Sequence, residues 1–221
     1  MIKAFNFFKR KPGLGVDDFR SYWLNQHAAV IRQIPELRKY VASITLPSAY
    51  RNREPLYDGI SEAWFDDEDA LRANADSAPR RAASADDAKF VDLLKAASIV
   101  VDEIVQIDGT PRDNAVKMFS LLIRKPNTDV ASFQAYWRTQ HGPLAAKIPQ
   151  MRRYVQCHVR PSGYADGRAP RYDGVAEVWF DGFQAIRESG DTDEYRAVQI
   201  DEPKFLTVPF PFVIASEHRI L

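Results

Sequence analysis

The chain has 221 residues, 45% of them hydrophobic, which is enough for one large or two small domains with packed cores. Thirty Lys and Arg balance thirty Asp and Glu; without a basic excess to hold a phosphate backbone, no nucleic acid is expected as a partner. The single Cys157 excludes an intramolecular disulfide framework and any multi-thiolate metal or iron–sulfur site within one chain, and it suits a reducing, cytoplasmic setting. No run of about 18 apolar residues occurs, and Ile2 to Phe8 alternates without forming a signal-peptide core. Neither membrane nor secretion is expected.

Residues 2–9 alternate and are rich in Phe, the pattern of a strand. Asp17 is the expected N-cap of a helix whose buried face is marked by Phe19, Trp23, Gln26, His27, Val30 and Ile31, and which stops at Pro35. Residues 38–46 and 59–65 read as second and third strands, a less regular helix fills 67–97, and a last strand covers 99–107. After a polar stretch the pattern begins again. Phe19, Tyr22-Trp23 and Gln26-His27 recur 114 residues later as Phe133, Tyr136-Trp137 and Gln140-His141. At the same spacing Ile34-Pro35, Arg38 and Tyr40-Val41 recur as Ile148-Pro149, Arg152 and Tyr154-Val155. One further residue in the second copy shifts the register, and Tyr57-Asp58-Gly59, Glu62 and Trp64-Phe65-Asp66 return as Tyr172-Asp173-Gly174, Glu177 and Trp179-Phe180-Asp181. The chain reads as a tandem duplication: a first unit over 1–108, a linker over 109–114 and a second unit over 115–221. The second unit has Asp129 as N-cap, a helical face of Phe133, Trp137, Gln140, His141 and Leu144, strands over 152–159 and 174–180, a helix over 183–206 and a strand over 210–218.

Each unit is therefore an α+β arrangement, βαββαβ, with a four-stranded antiparallel sheet covered by helices on one face only. The other face needs a cover, and the second unit supplies one. The expected fold is two ferredoxin-like units with sheets packed face to face as an intramolecular α+β barrel that encloses a pocket. Because this pairing is internal, a monomer or a loose homodimer is expected.

The pattern Tyr-Trp-x-x-x-His, then Ile-Pro-x-x-Arg-x-Tyr-Val, then Tyr-Asp-Gly-x-x-Glu-x-Trp-Phe-Asp resembles the EthD domain of the dimeric α+β barrel superfamily, and it occurs in both halves. The resemblance spans nearly the whole chain outside the linker. It implies relatives that accompany ether-degrading oxidation systems, muconolactone methylisomerase-like enzymes, and cofactorless cyclases, decarboxylases and oxygenases of aromatic polyketides. It also implies a proton-transfer role for the motif histidine, His27 or His141. Only His141-Gly142-Pro143 keeps the family's common His-x-Pro form, since the first half has His27-Ala28-Ala29, which favours the second half.

An imidazole can take and return a proton near neutral pH without a cofactor. The alternative for His27 and His141 is a structural one, anchoring the first helix. Tyr154, Gln156 and His158 alternate on one strand face where the first unit has Tyr40, Ala42 and Ile44. If that face lines the pocket, His158 and Gln156 orient a substrate; if it meets the helices, they are packing residues. Glu177 beside Trp179, like Glu62 beside Trp64, is either an acid–base group in an apolar setting or a partner for Arg152 or Arg38. The expected function is a small cofactor-independent enzyme using proton transfer on an aromatic, lactone or polyketide-like substrate. In it His141 is base and acid, with His27 as its counterpart, His158 and Tyr154 orient the substrate, and Trp137 and Trp179 form the apolar wall. Two alternatives stand beside it: a non-catalytic carrier of a small hydrophobic or aromatic metabolite for an oxidation pathway, and a haem protein with His27, His141 or His158 as axial ligand. The four histidines have no metal-ligand spacing, and no phosphate-binding loop or nucleophile elbow occurs, so neither metal nor nucleotide cofactor is expected.

Overall fold

Two compact units make up the chain in the computed structural model, which describes residues 1–221: Met1–Val101 with Ala215–Leu221, and Asp102–Ile214. The first repeat runs β1 (Ile2–Phe8), α1 (Val16–Tyr22), a π-helical turn (Trp23–His27), α2 (Ala28–Ile31), β2 (Lys39–Thr45), β3 (Gly59–Phe65), α3 (Glu68–Ala75), α4 (Ala78–Phe90) and β4 (Ala97–Ile107). The second runs β5 (Val116–Leu122), α5 (Val130–Tyr136), a second π-helical turn (Trp137–His141), α6 (Gly142–Ala145), β6 (Met151–Val159), β7 (Gly174–Phe180), α7 (Phe183–Ser189), α8 (Asp193–Asp201) and β8 (Phe212–Arg219). Both are α+β units with the ferredoxin-like antiparallel strand orders β4-β1-β3-β2 and β8-β5-β7-β6. The sequence duplicates around 108 and 115, but the compact units divide inside β4 and β8. The reason is that β4 pairs with β1 only over Ala97–Val101, while Ala215–Arg219 of β8 pairs with β2.

Three local expectations change. The N-cap of α1 is Gly15, not Asp17, which lies in the first turn and still complements the helix dipole; Asp129 caps α5 as expected, accepting from the Ser132 N–H at 2.8 Å. The single helices expected over 67–97 and 183–206 are each two, because caps interrupt them: Ser77 accepts from Arg80 N–H ahead of Pro79, and Thr192 accepts from Tyr195 N–H. Gln26 and Gln140, expected on the buried helix face, are exposed.

That last change follows from the π turns. Residues spaced by four on an α-helix drift about 40° per step, so Phe19, Trp23, His27 and Ile31 would spiral off one face. The Ala28 N–H instead reaches back five residues to Trp23 O, as Gly142 N–H does to Trp137 O. This wider turn holds Phe19, Trp23, His27 and Ile31 against the sheet and turns Gln26 outward. The tryptophans need room there. A Cβ on Gly59 would lie 2.4 Å from the Trp23 ring, and one on Gly174 would lie 2.5 Å from the Trp137 ring, so the glycine of each Tyr-Asp-Gly motif is a seat for an indole.

The neighbouring motif residues hold the loops. Asp58 accepts from the Arg10 N–H at 2.8 Å and from its guanidinium and from Tyr50, while Asp173 does the same for Arg124 and Tyr164. Arg38 and Arg152 pair with Asp66 and Asp181, not with the strand glutamates. Those glutamates lie on the sheet face away from the helices and are bound to lysines instead: Lys3–Glu62 at 2.7 Å and Lys117–Glu177 at 2.6 Å, with all four side chains at most 1% exposed. No helix of the chain is long and apolar enough to cross a membrane.

Candidate functional site

Between the helices and sheet of the first unit lies a cavity of about 550 Å³, its open mouth included. Its floor is Ala4, Asn6 and Phe8 of β1 with Tyr40, Ala63 and Phe65, its apolar side is Ile31, Ile34, Leu37 and Leu71, and its polar side is His27, Asn74, Arg80 and Asp87. The volume exists because β1 and β3 put alanines at positions 4 and 63. At the repeat-related positions the second unit has Met118 and Val178, and Tyr195 stands for Arg80.

His27 joins the first helical segment to α4 on the polar side of this cavity. Its Nδ1 lies 2.8 Å from Asp86 Oδ2, and the other oxygen of Asp86 accepts from Tyr22 at 2.8 Å and from Lys89 at 2.9 Å. Burial pushes the Asp86 carboxyl up, but its bonds from Lys89, His27 and Tyr22 outweigh that and leave it below the usual aspartate value, so it is an anion. An anionic acceptor fixes the proton on Nδ1. Burial lowers the His27 pKa against the pull of Asp86, so the ring is neutral and Nε2 carries a bare lone pair. That nitrogen lies 3.4 Å from Asp87 Oδ1, a buried oxygen with no hydrogen-bond partner. Asp87 is pushed up to about 7, chiefly by burial, which makes it a carboxylic acid that can hold or release a proton near neutrality.

The second unit repeats the anchor. His141 Nδ1 lies 2.9 Å from Asp201, which also accepts from Tyr136 at 2.8 Å and Lys204 at 2.9 Å, and Glu202, pushed up to about 7 chiefly by burial, takes the place of Asp87. Around this anchor the surroundings differ. Tyr154, Gln156 and His158 lie on the helix-facing side of β6. The Gln156 amide donates to Trp137 O at 2.8 Å and to the Tyr154 hydroxyl at 3.1 Å, and its carbonyl meets His158 Nε2 at 3.0 Å. The His158 ring stacks on Trp137 with centroids 4.4 Å apart, and burial lowers its pKa to about 4. Trp137 donates to the Tyr154 hydroxyl, and burial raises that phenol to about 12. This face therefore meets the helices, and its polar groups satisfy one another.

Of the residues expected in the site, His141, Trp137, Tyr154, Gln156 and His158 share the helix-facing layer of the second unit, whereas Glu177 and Trp179 lie on the opposite sheet face with Lys117. His27 alone of the expected residues lines the cavity. Sequence reading missed Asp86, Asp87 and Arg80. The signal was available: the repeat of Lys89-Phe90 as Lys204-Phe205 extends three residues upstream to Asp86 and Asp201. As an axial haem ligand His27 would have to use Nε2, which has Asp87 Oδ1 3.4 Å away. His158 would have to give up both its stacking and its bond to Gln156. His158 therefore does not fit haem ligation.

The model of the EthD domain matches the chain twice, over residues 11–94 and 125–208. No curated protein matches the sequence. Among solved structures, an anthrone oxidase-like protein aligns over 99% of this chain and 93% of its own, with TM-score 0.67 and 9% identity. A candidate monooxygenase from Lactobacillus acidophilus NCFM aligns over 100% and 94%, with TM-score 0.58 and 13% identity. A mutant chlorite dismutase from Candidatus Nitrospira defluvii aligns over 97% and 91%, with TM-score 0.50 and 8% identity. At these identities the likeness is one of fold.

Proposed function

Because the chain belongs to the EthD domain family and carries that domain twice, we propose that its first domain is a cofactor-independent proton-transfer enzyme for a small, largely apolar carbonyl compound. The observation that carries this reading is the bare Nε2 of His27, facing a cavity while Asp86 holds Nδ1. A substrate C–H next to a carbonyl gives its proton to Nε2. The imidazolium that forms is stabilised by Asp86, which is itself fixed by Tyr22 and Lys89. Asp87, 3.4 Å from the same nitrogen, supplies or accepts the second proton, so a proton removed at one carbon returns at another atom. Isomerisation and cyclisation share this first step, and so does oxygen chemistry on the carbanion.

The cavity and its alanines favour the first half for this reaction, whereas the His-x-Pro form favours His141. The test is solvent exchange: a panel of aryl ketones and lactones, anthrone among them, is incubated with protein in D2O and followed by proton NMR. Wild type and H141Q should exchange the acidic C–H, and H27Q should lose at least about a hundredfold in rate, within the usual range for a general base. Exchange that survives in H27Q and disappears in H141Q would move the site to the second half. Saturable binding without exchange would support the carrier reading instead.

A further inference from the structure

Arg80 lines the His27 cavity, half-buried, and its guanidinium makes no side-chain hydrogen bond or ion pair. Structural arginines of this chain behave otherwise: Arg10 is held by Asp58 and Glu54, and Arg124 by Asp173. The position also works against a structural role. Arg80 stands in the first turn of α4, where the helix dipole disfavours a cation by about 0.3–1 kcal/mol. On the helix it precedes Ala83, Asp87 and Phe90 on the face turned to the sheet, a place where an apolar residue would pack. The repeat-related residue, Tyr195, carries no such charge.

A partly desolvated guanidinium facing an apolar chamber is a receptor for a planar anion, since its fork matches a carboxylate in two parallel hydrogen bonds. The rest of the chamber sets the shape of the ligand: Ile31, Ile34, Leu37 and Leu71 receive an apolar body. The one acid on the wall, Asp87, is held mostly protonated below about pH 7 by burial, although Arg80 favours its anion, so at pH 6.5 it cancels only part of the field of Arg80. We propose that the cavity binds a small amphiphilic monoanion, an apolar body bearing one carboxylate, with Arg80 as the carboxylate receptor. This inference rests on reading the cavity as the substrate site, and it names the substrate class that a proton-transfer reaction there would act on.

The test is calorimetric binding of matched acid and amide probes to the full chain at pH 6.5: phenylacetate with phenylacetamide, and 2-naphthoate with 2-naphthamide. At least one acid should bind wild type tenfold or more tightly than its amide. R80Q should erase that preference while leaving amide affinity within about twofold, and R80K should restore part of it. Equal binding of acid and amide to wild type, no binding of either, or an R80Q loss shared equally by both would overturn the proposal. The wild-type acid-to-amide ratio serves even if R80Q does not fold. H27Q separates the two ideas: a carboxylate preference kept in H27Q, with no exchange by any protein, leaves Arg80 as receptor and removes the proton-transfer reading.

Discussion

Replacing Asp87 by Asn tests the electrostatics of the cavity without any substrate. The carboxyl is raised from its ordinary 3.8 to about 7 on folding, mainly because it is desolvated, and its side chain is 17% exposed. A group whose folded pKa lies above its unfolded value contributes stability that is fully present below the unfolded pKa. That contribution is lost as pH rises through the folded one. For Asp87 the window is therefore about pH 4 to 7. At about 1.4 kcal/mol per pH unit, the loss between pH 5 and 7 is nearly 3 kcal/mol, and about 2 kcal/mol after allowance for partial exposure. Asparagine has the shape of the protonated acid and no such slope. D87N should therefore gain about 2 kcal/mol relative to wild type on going from pH 5 to pH 8. His27 and the other titrating groups are present in both proteins and largely cancel in this difference. Urea unfolding followed by tryptophan fluorescence at pH 5, 6, 7 and 8 measures it, with the m-value checking that the unfolded states match. A stability difference that stays constant across the four pH values would refute a buried, proton-holding Asp87.

The same packing sets three further outcomes. G59A drives a Cβ to 2.4 Å from the Trp23 ring and 2.9 Å from Ser43 O, so it should cost about 1–3 kcal/mol or more in chemical denaturation, as should G174A against Trp137. K3M leaves Glu62 buried with its cation gone and should cost about 3–5 kcal/mol, whereas the double change K3M/E62L should recover most of that loss in the same assay. D86N removes the anion that holds Nδ1–H, and it should cut C–H exchange by two or more orders of magnitude while changing amide-probe affinity little.

Much of the fold was legible because it is written twice. The 114-residue recurrence showed the two βαββαβ units, and strand alternation put Glu62 with Trp64 on one strand face and Tyr40 with Ala42 and Ile44 on one face of another strand, leaving open which face meets the helices. What the pattern could not show was a departure from ordinary helix geometry. The four-residue spacing Phe19, Trp23, His27, Ile31 fits a helix only if a π turn is inserted, and without that turn Gln26 was placed on the wrong side. The site was legible in part. His27 and His141 stand out as motif residues, but the choice between halves turns on absent side-chain volume at Ala4 and Ala63, to which polar-residue reading is blind. Gln156 and His158 drew attention as polar residues on a strand, yet their partners, Trp137 O and each other, are visible only in three dimensions. Asp86 and Asp87 come from α4, about 60 residues from His27, in a helix of irregular pattern where only the recurrence of Asp86 as Asp201 marks either of them.

The central claim is that His27 presents an unprotonated Nε2 to the cavity because Asp86 holds the proton on Nδ1. A long-range proton–nitrogen correlation spectrum of the histidine rings in uniformly 15N-labelled protein at pH 7 reads this directly, with H27Q assigning the signals. The account predicts a neutral His27 ring of the Nδ1–H tautomer that titrates below 6.5 and switches its protonation pattern in D86N. A ring in the Nε2–H tautomer, or one already an imidazolium at pH 7, would contradict it.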